Sequence, residues 1–92
     1  MNESRRFIIS GRVQGVSYRA WTVDTARLMG LSGWVRNLRN GNVEALFHGN
    51  PHELDRMFEL CKAGPSSARV AGIEVTASHE IPPEGFIAKP TV

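Results

Sequence analysis

Apolar and polar residues alternate through the stretch Arg5 to Val13. Phe7, Ile9 and Val13 share one side, while Arg6, Ser10 and Arg12 take the other. A period of two is a strand, and Ile8, which breaks it, marks an interior strand partly covered on both faces. From Tyr18 to Met29 the period lengthens. Tyr18, Trp21, Thr22, Thr25, Ala26 and Met29 recur at helical spacing and form one face. Ser17 stands where an N-cap belongs, and Gly30 stands at the C′ position.

The stretch LSGWVRNLRNGNVEALFHG, Leu31 to Gly49, is a hairpin turning at Asn40-Gly41. A two-residue turn would group Trp34, Arg36 and Leu38 with Val43, Ala45 and Phe47. A three-residue turn, Arg39-Asn40-Gly41 with Gly41 left-handed, groups Val35 and Asn37 with them instead. The second register gives an almost wholly apolar face and is preferred. It leaves Asn37 as the one polar residue on that face, with Trp34, Arg36, Leu38, Glu44, Leu46 and His48 on the other.

NPHELDRMFELCKAG, Asn50 to Gly64, is the clearest helix. Asn50 caps it, Pro51 takes the first position, and Glu53 completes a capping-box-like pair. Leu54, Met57, Phe58 and Cys61 form its stripe, and Gly64-Pro65 ends it. ARVAGIEVTAS then reads as a strand in which Ala71, Ile73 and Val75 alternate. The tail holds Pro82-Pro83, a short GFIA and Pro90.

The order β-α-β-β-α-β predicts an α+β fold. It is a ferredoxin-like sandwich with a four-stranded antiparallel sheet and two helices packed on one face. The whole chain, residues 1–92, reads as one domain. This superfold serves many unrelated functions, so function must come from a site.

Composition narrows the chemistry. The net charge of +2 and pI near 9.2 are too mild to demand nucleic acid and suit a small anionic ligand. Of the 11 cationic residues, all but Lys62 and Lys89 are arginine, whose planar fork matches phosphate or carboxylate. The single cysteine, Cys61, excludes an internal disulfide. No apolar run approaches the ~20 residues of a membrane span, and the start MNESRRF lacks a signal peptide's apolar segment. The expectation is a cytoplasmic monomer with no membrane partner.

GRVQGVSYRAW, Gly11 to Trp21, joins the first strand to the first helix. Amides at a helix start lack internal partners and carry partial positive charge. Gly15 lets the backbone close around a ligand, and Arg19 adds a full charge, so the loop can cradle a phosphate-sized anion. No Lys-Ser/Thr pair follows, so it is not the nucleotide-binding P-loop. Taken alone, the pattern also fits a tight turn with a solvated arginine. The Asn37 amide could hold a water, but the pattern alone favours a hairpin-end residue bonded to backbone.

GRVQGVSYR followed by GWVRNLRNGNVE closely resembles the acylphosphatase family in both motifs and their spacing, with matching element order from about Arg5 to Val75. The resemblance implies hydrolysis of the carboxyl–phosphate bond of acyl phosphates with no metal or organic cofactor. It implies that Arg19 binds phosphate and that Asn37 positions the attacking water. The amides of Gln14, Gly15, Val16, Ser17, Tyr18 and Arg19 would form the phosphate cradle. The partners implied are a small acyl phosphate and inorganic phosphate. Tyr18 stands where the family usually has Phe, and Ser17 where Gly or a bulky residue is common. Family members tend to finish in a short strand with a basic residue, whereas this tail has Ala88 and then Pro90.

The remaining chemistry-bearing residues have plainer readings. His48, His52 and His79 lack metal-ligand spacing, and Cys61, Trp21 and Trp34 read as packing residues. Asp24 and Arg27 read as a solvated pair, and Arg12 and Arg36 as a source of positive field near the pocket mouth or as solvated charges. Two other functions compete with the enzyme. One is an anion-binding module without turnover. The other is an RNA-binding domain of the same fold, which would stack bases on Phe7 and Phe47 but lacks the RNP motif.

Overall fold

The computed structural model describes residues 1–92. The elements are β1 (Glu3–Arg12), α1 (Tyr18–Leu28), β2 (Ser32–Asn37), β3 (Val43–Gly49), α2 (Pro51–Ala63), β4 (Arg69–Ser78) and β5 (Phe86–Ala88). The sheet runs β4-β1-β3-β2-β5, with both helices packed on it. The ferredoxin-like order holds, with one correction. The sheet has five strands and is mixed, because β5 pairs in parallel with β2, Gly33 to Ala88. Three residues, only one of them buried, carry no period of their own, so the pattern could not show this strand.

The hairpin takes the three-residue turn. Val35 faces Ala45 and Asn37 faces Val43 across the ladder. Leu38 N–H donates to the Asn42 carbonyl at 2.8 Å, and Gly41 adopts φ +97°, a region that an L residue enters only under strain. The core lies between this face and the helices. Phe7, Ile9, Val35, Val43, Ala45 and Phe47 are fully buried against Leu54, Met57 and Cys61. Each large apolar side chain buried this way is worth about 1.5–3 kcal/mol. Phe47 packs edge-on against Phe7 at 4.8 Å and stacks on Phe86 at 5.3 Å. The two aromatics that an RNA-binding domain would offer to bases are therefore inside.

Helix α1 ends in a Schellman motif, with Leu31 N–H on the Ala26 carbonyl and Gly30 N–H on that of Arg27. Arg27 does not pair with Asp24; its Nε donates to the Phe86 carbonyl at 3.1 Å and ties α1 to β5. At the start of α2 the Asn50 side chain accepts from Glu53 N–H at 2.9 Å. The capping box is only half formed, since the Glu53 carboxylate turns to Arg56. In β4, an edge strand, only Ile73 of the three alternating residues packs against the core.

The face of the sheet away from the helices is also partly covered. Trp34, Glu44 and Leu46 are buried there, and Trp34 Nε1 donates to Glu80 at 2.9 Å in the segment leading to β5. Glu44 accepts from Arg6 and, at 2.7 Å, from Arg36, linking the three central strands. Arg36 also lies over the Trp34 ring at 4.6 Å. Burial alone would raise the Glu44 carboxyl pKa, but its bonds to Arg36 and Arg6 outweigh this and hold it below the usual range.

The sign of that shift fixes a pH dependence. A carboxyl depressed by folding stabilises the fold above its unfolded pKa, roughly 4.3, and loses that contribution as pH falls through the folded value. Glu44→Gln should cost about 1–3 kcal/mol at pH 7. Denaturant titrations of native and Glu44→Gln protein should show this gap narrowing below about pH 4. A gap unchanged down to pH 2 would contradict the network's role.

Candidate active site

The residues singled out by the sequence converge on one cleft of about 330 Å³. The loop leaving β1 supplies Val13, Gln14, Gly15 and Ser17, and the first turn of α1 supplies Tyr18, Arg19 and Ala20. Asn37 at the end of β2 and Ala88 at the end of β5 complete the wall. Val16 lies in the core instead, 8% exposed, so only its main chain can serve the site.

The loop is shaped by two left-handed residues, Gly15 at φ +72° and Ser17 at φ +66°. Left-handed residues in alternation with others gather successive N–H groups into an anion-binding concavity. None of the amides from Gln14 through Arg19 finds a backbone acceptor in the chain. Ser17 occupies the N-cap position but its side chain caps nothing, and no acidic residue lies in the first turn of α1. This corrects the expected Ser17 cap. The positive end of the helix is left without a local counter-charge, facing the cleft.

Tyr18 anchors the turn from below. Its side chain is buried, its hydroxyl donates to the Cys61 carbonyl at 2.6 Å, and Trp21 packs beside it with ring centres 5.4 Å apart. Burial first, then the neighbouring Cys61, pushes the phenol pKa far up, so it stays a neutral donor. Burial also pushes the Cys61 thiol up to about 12, which suits packing and not nucleophilic attack. Arg19, half-buried, forms no ion pair, whereas Arg5, Arg6, Arg36, Arg56 and Lys62 all do.

Asn37 reaches the cleft from the hairpin. Its carbonyl accepts from Val92 N–H at 3.2 Å, so the strand end is held by the tail as well as by β3. Its Oδ1 is buried without a hydrogen-bond partner in the protein. An unsatisfied buried acceptor costs roughly 1–3 kcal/mol, so this oxygen stands apart from the other buried side-chain polar atoms. Arg36 is corrected here: it lies on the opposite face of the sheet with Glu44, and Arg12 pairs across from Arg69 at the strand end. Neither lines the cleft. Pattern reasoning missed Ala88, Val13 and Ala20.

The ferredoxin-like sandwich thus brings free amides, an arginine without an ion pair and an unsatisfied amide oxygen to one cleft. Comparison with known proteins gives its class. The acylphosphatase family profile matches residues 5–87. The acylphosphatase of Alkalilimnicola ehrlichii is 51% identical over 86 residues, covering 94% of this chain and 97% of that one. That of Rhodospirillum rubrum is 51% identical over 84 residues, covering 91% and 92%. An acylphosphatase structure from Coxiella burnetii superposes with a TM-score of 0.91 at 27% identity, covering 96% and 93%. The chain belongs to the acylphosphatase family, and it is a hydrolase acting on acyl phosphates.

The left-handed backbone at Ser17 has a measurable cost. A non-glycine residue there pays roughly 1–2 kcal/mol, against ~0.5–1 kcal/mol of extra unfolded-state entropy for glycine. Ser17→Gly should therefore stabilise the fold by up to about 1 kcal/mol, and Ser17→Val should destabilise it, in denaturant titration. Destabilisation by glycine would mean that the serine side chain holds the loop in some other way.

Proposed function

We propose that the protein hydrolyses acyl phosphates by direct attack of water on phosphorus, using only groups of its own chain. The amides of Gln14, Gly15, Val16, Ser17, Tyr18 and Arg19, with the Arg19 guanidinium, hold the phosphoryl group. Asn37 orients the water. The observation that carries this reading is the meeting of unpaired donors with the unsatisfied Asn37 Oδ1 in one cleft.

The chemistry asks for little more. In the reaction the new bond joins the water oxygen to phosphorus. The bond between phosphorus and the acyl oxygen breaks, and its electron pair leaves with the carboxylate. That leaving group has a conjugate acid of pKa roughly 4, so no general acid is required. The water proton passes to a phosphoryl oxygen of the substrate. A loose phosphoryl-transfer transition state responds to positioning and charge stabilisation, which amides and an arginine supply. The Asn37 amide can accept from the water with Oδ1 and leave its oxygen lone pair aimed at phosphorus.

No cluster of three or more His, Cys, Asp or Glu side chains able to hold a metal ion occurs in the chain. The reading calls for no metal or cofactor, because a carboxylate leaving group and a phosphoryl group held by amides and arginine ask for none. All the groups it uses belong to one chain. Cys61 is an unpaired thiol, which suits the reducing cytoplasm. No helix is long and apolar enough to cross a membrane.

The test separates the two side chains. Arg19→Ala should lose both phosphate affinity and turnover, and Arg19→Lys should recover little, because a point charge cannot reproduce the fork. Asn37→Ala should bind phosphate nearly as well as the native protein but lose about 10²–10³ in kcat, or roughly 2.7–4 kcal/mol. Calorimetric phosphate titration beside benzoyl phosphate turnover, on protein confirmed as folded, measures both. Near-native turnover by Arg19→Ala would overturn the assignment. Equal affinity losses in the two variants would make Asn37 a phosphate ligand.

Turnover should also persist with a chelator present and after each histidine is replaced by Gln. Activity abolished by chelation and restored by magnesium or zinc would refute the metal-free mechanism.

A further inference from the structure

The Gln14 side chain joins the two halves of the cleft. Its Nε2 donates to the Leu38 carbonyl at 2.7 Å and to the Asn42 carbonyl at 2.8 Å. Leu38 follows Asn37, and Asn42 precedes Val43, the residue paired with Asn37 across the ladder. One carboxamide thus bridges both arms of the hairpin next to Asn37, spending both of its N–H donors to do so. No other hydrogen bond, from main chain or side chain, runs between the loop Val13–Ser17 and the hairpin end. Val13 at the start of the loop and Val43 beside the hairpin end both belong to the buried apolar core. Such packing constrains separation but fixes no orientation.

We infer that Gln14 is a positioning residue whose carboxamide sets the placement of Asn37 relative to the phosphate cradle. The inference rests on the reading above, in which the cradle holds phosphate and Asn37 holds the water. That division of labour demands such a link. The nucleophile sits on one element and the electrophile on another, 23 residues apart between Gln14 and Asn37 in sequence. A displacement of about 1 Å between reacting partners can cost on the order of 10²-fold in rate. The side chain is also well matched to the task. Glutamate has the same shape but no N–H to offer two carbonyls, asparagine is one methylene short, and methionine fills the space with no donor.

The role of the main chain is separate. Any substitution at Gln14 keeps its backbone amide in the cradle, so phosphate binding and phosphate hydrolysis should respond differently. Gln14→Met should leave phosphate affinity within about threefold of native while lowering kcat by roughly 10–100-fold. Gln14→Leu provides a second donor-free variant should methionine fail to fold.

The decisive experiment is a double-mutant cycle read by benzoyl phosphate turnover. A residue acting only through Asn37 has nothing left to position once Asn37 is gone. Gln14→Met should therefore change kcat by less than about twofold in the Asn37→Ala background. The same fold-loss in both backgrounds, or a parallel loss of phosphate affinity, would overturn the proposal. The free protein gives an independent readout. Gln14→Met should shift the Asn37 side-chain amide resonances in a nitrogen–proton correlation spectrum. If Asn37→Ala kept native turnover, the water-positioning reading would fail. The link between Gln14 and Asn37 would still be decided by that spectrum, and unmoved Asn37 resonances would reject it.

Discussion

A one-residue slip between β2 and β3 would turn Asn37 from the helix side of the sheet to the opposite side. The position of Asn37 in the cleft thus depends on a hairpin that pairs it with Val43. Three features hold that register. The turn puts Gly41 at φ +97°, the apolar set Val35, Val43, Ala45 and Phe47 is buried against the helices, and Glu44 on the other side is locked between Arg6 and Arg36. A slip of β2 would turn Val35 out of the core and carry Arg36 into it, away from Glu44, at once. The same pairing that builds the core delivers the polar side chain to the site.

Charge is divided between the two faces with similar economy. On the back of the sheet, Arg6 and Arg36 share Glu44, and Arg36 stacks on Trp34. Near α2, Arg5 pairs with Glu3 and Asp55. At the cleft, Arg19 has no acid beside it, the first turn of α1 has none, and the loop amides have no internal acceptors. Unpaired donors in a half-buried cleft are a standing electrostatic cost, and a bound anion relieves it. If the proposed reading holds, these donors already stand together in one cleft.

Most of this was legible from residue spacing. The alternation at Phe7 and Ile9, the helical stripe through Leu54, Met57 and Cys61, and the apolar matching that chose the hairpin register all reflect burial of one face. Burial writes a period into the sequence. The loop and Arg19 stand out through the two paired motifs and their resemblance to the acylphosphatase family, since glycine before a helix start fits a plain turn as well. The rest depended on contacts that leave no period. Strand β5 is three residues long and is held by pairing to β2, by the Arg27 bond to Phe86 and by stacking of Phe86 on Phe47. The expected Ser17 cap is absent, and the backbone there is left-handed where a capping residue is typically extended. Spacing leaves Arg36 open between the pocket mouth and a solvated position, and shows nothing of its partner Glu44 eight residues away across a turn. The two bonds of Gln14 span 24 and 28 residues, beyond any local signal.

The central claim is that one cleft separates holding the phosphate from presenting the water. A crystal structure with inorganic phosphate bound tests this most directly. Phosphate oxygens should lie about 2.7–3.2 Å from amide nitrogens of Gln14 to Arg19 and from the Arg19 fork, with a water on Asn37 Oδ1 facing phosphorus. Phosphate coordinated by the Asn37 side chain itself, or bound away from the loop, would contradict the account.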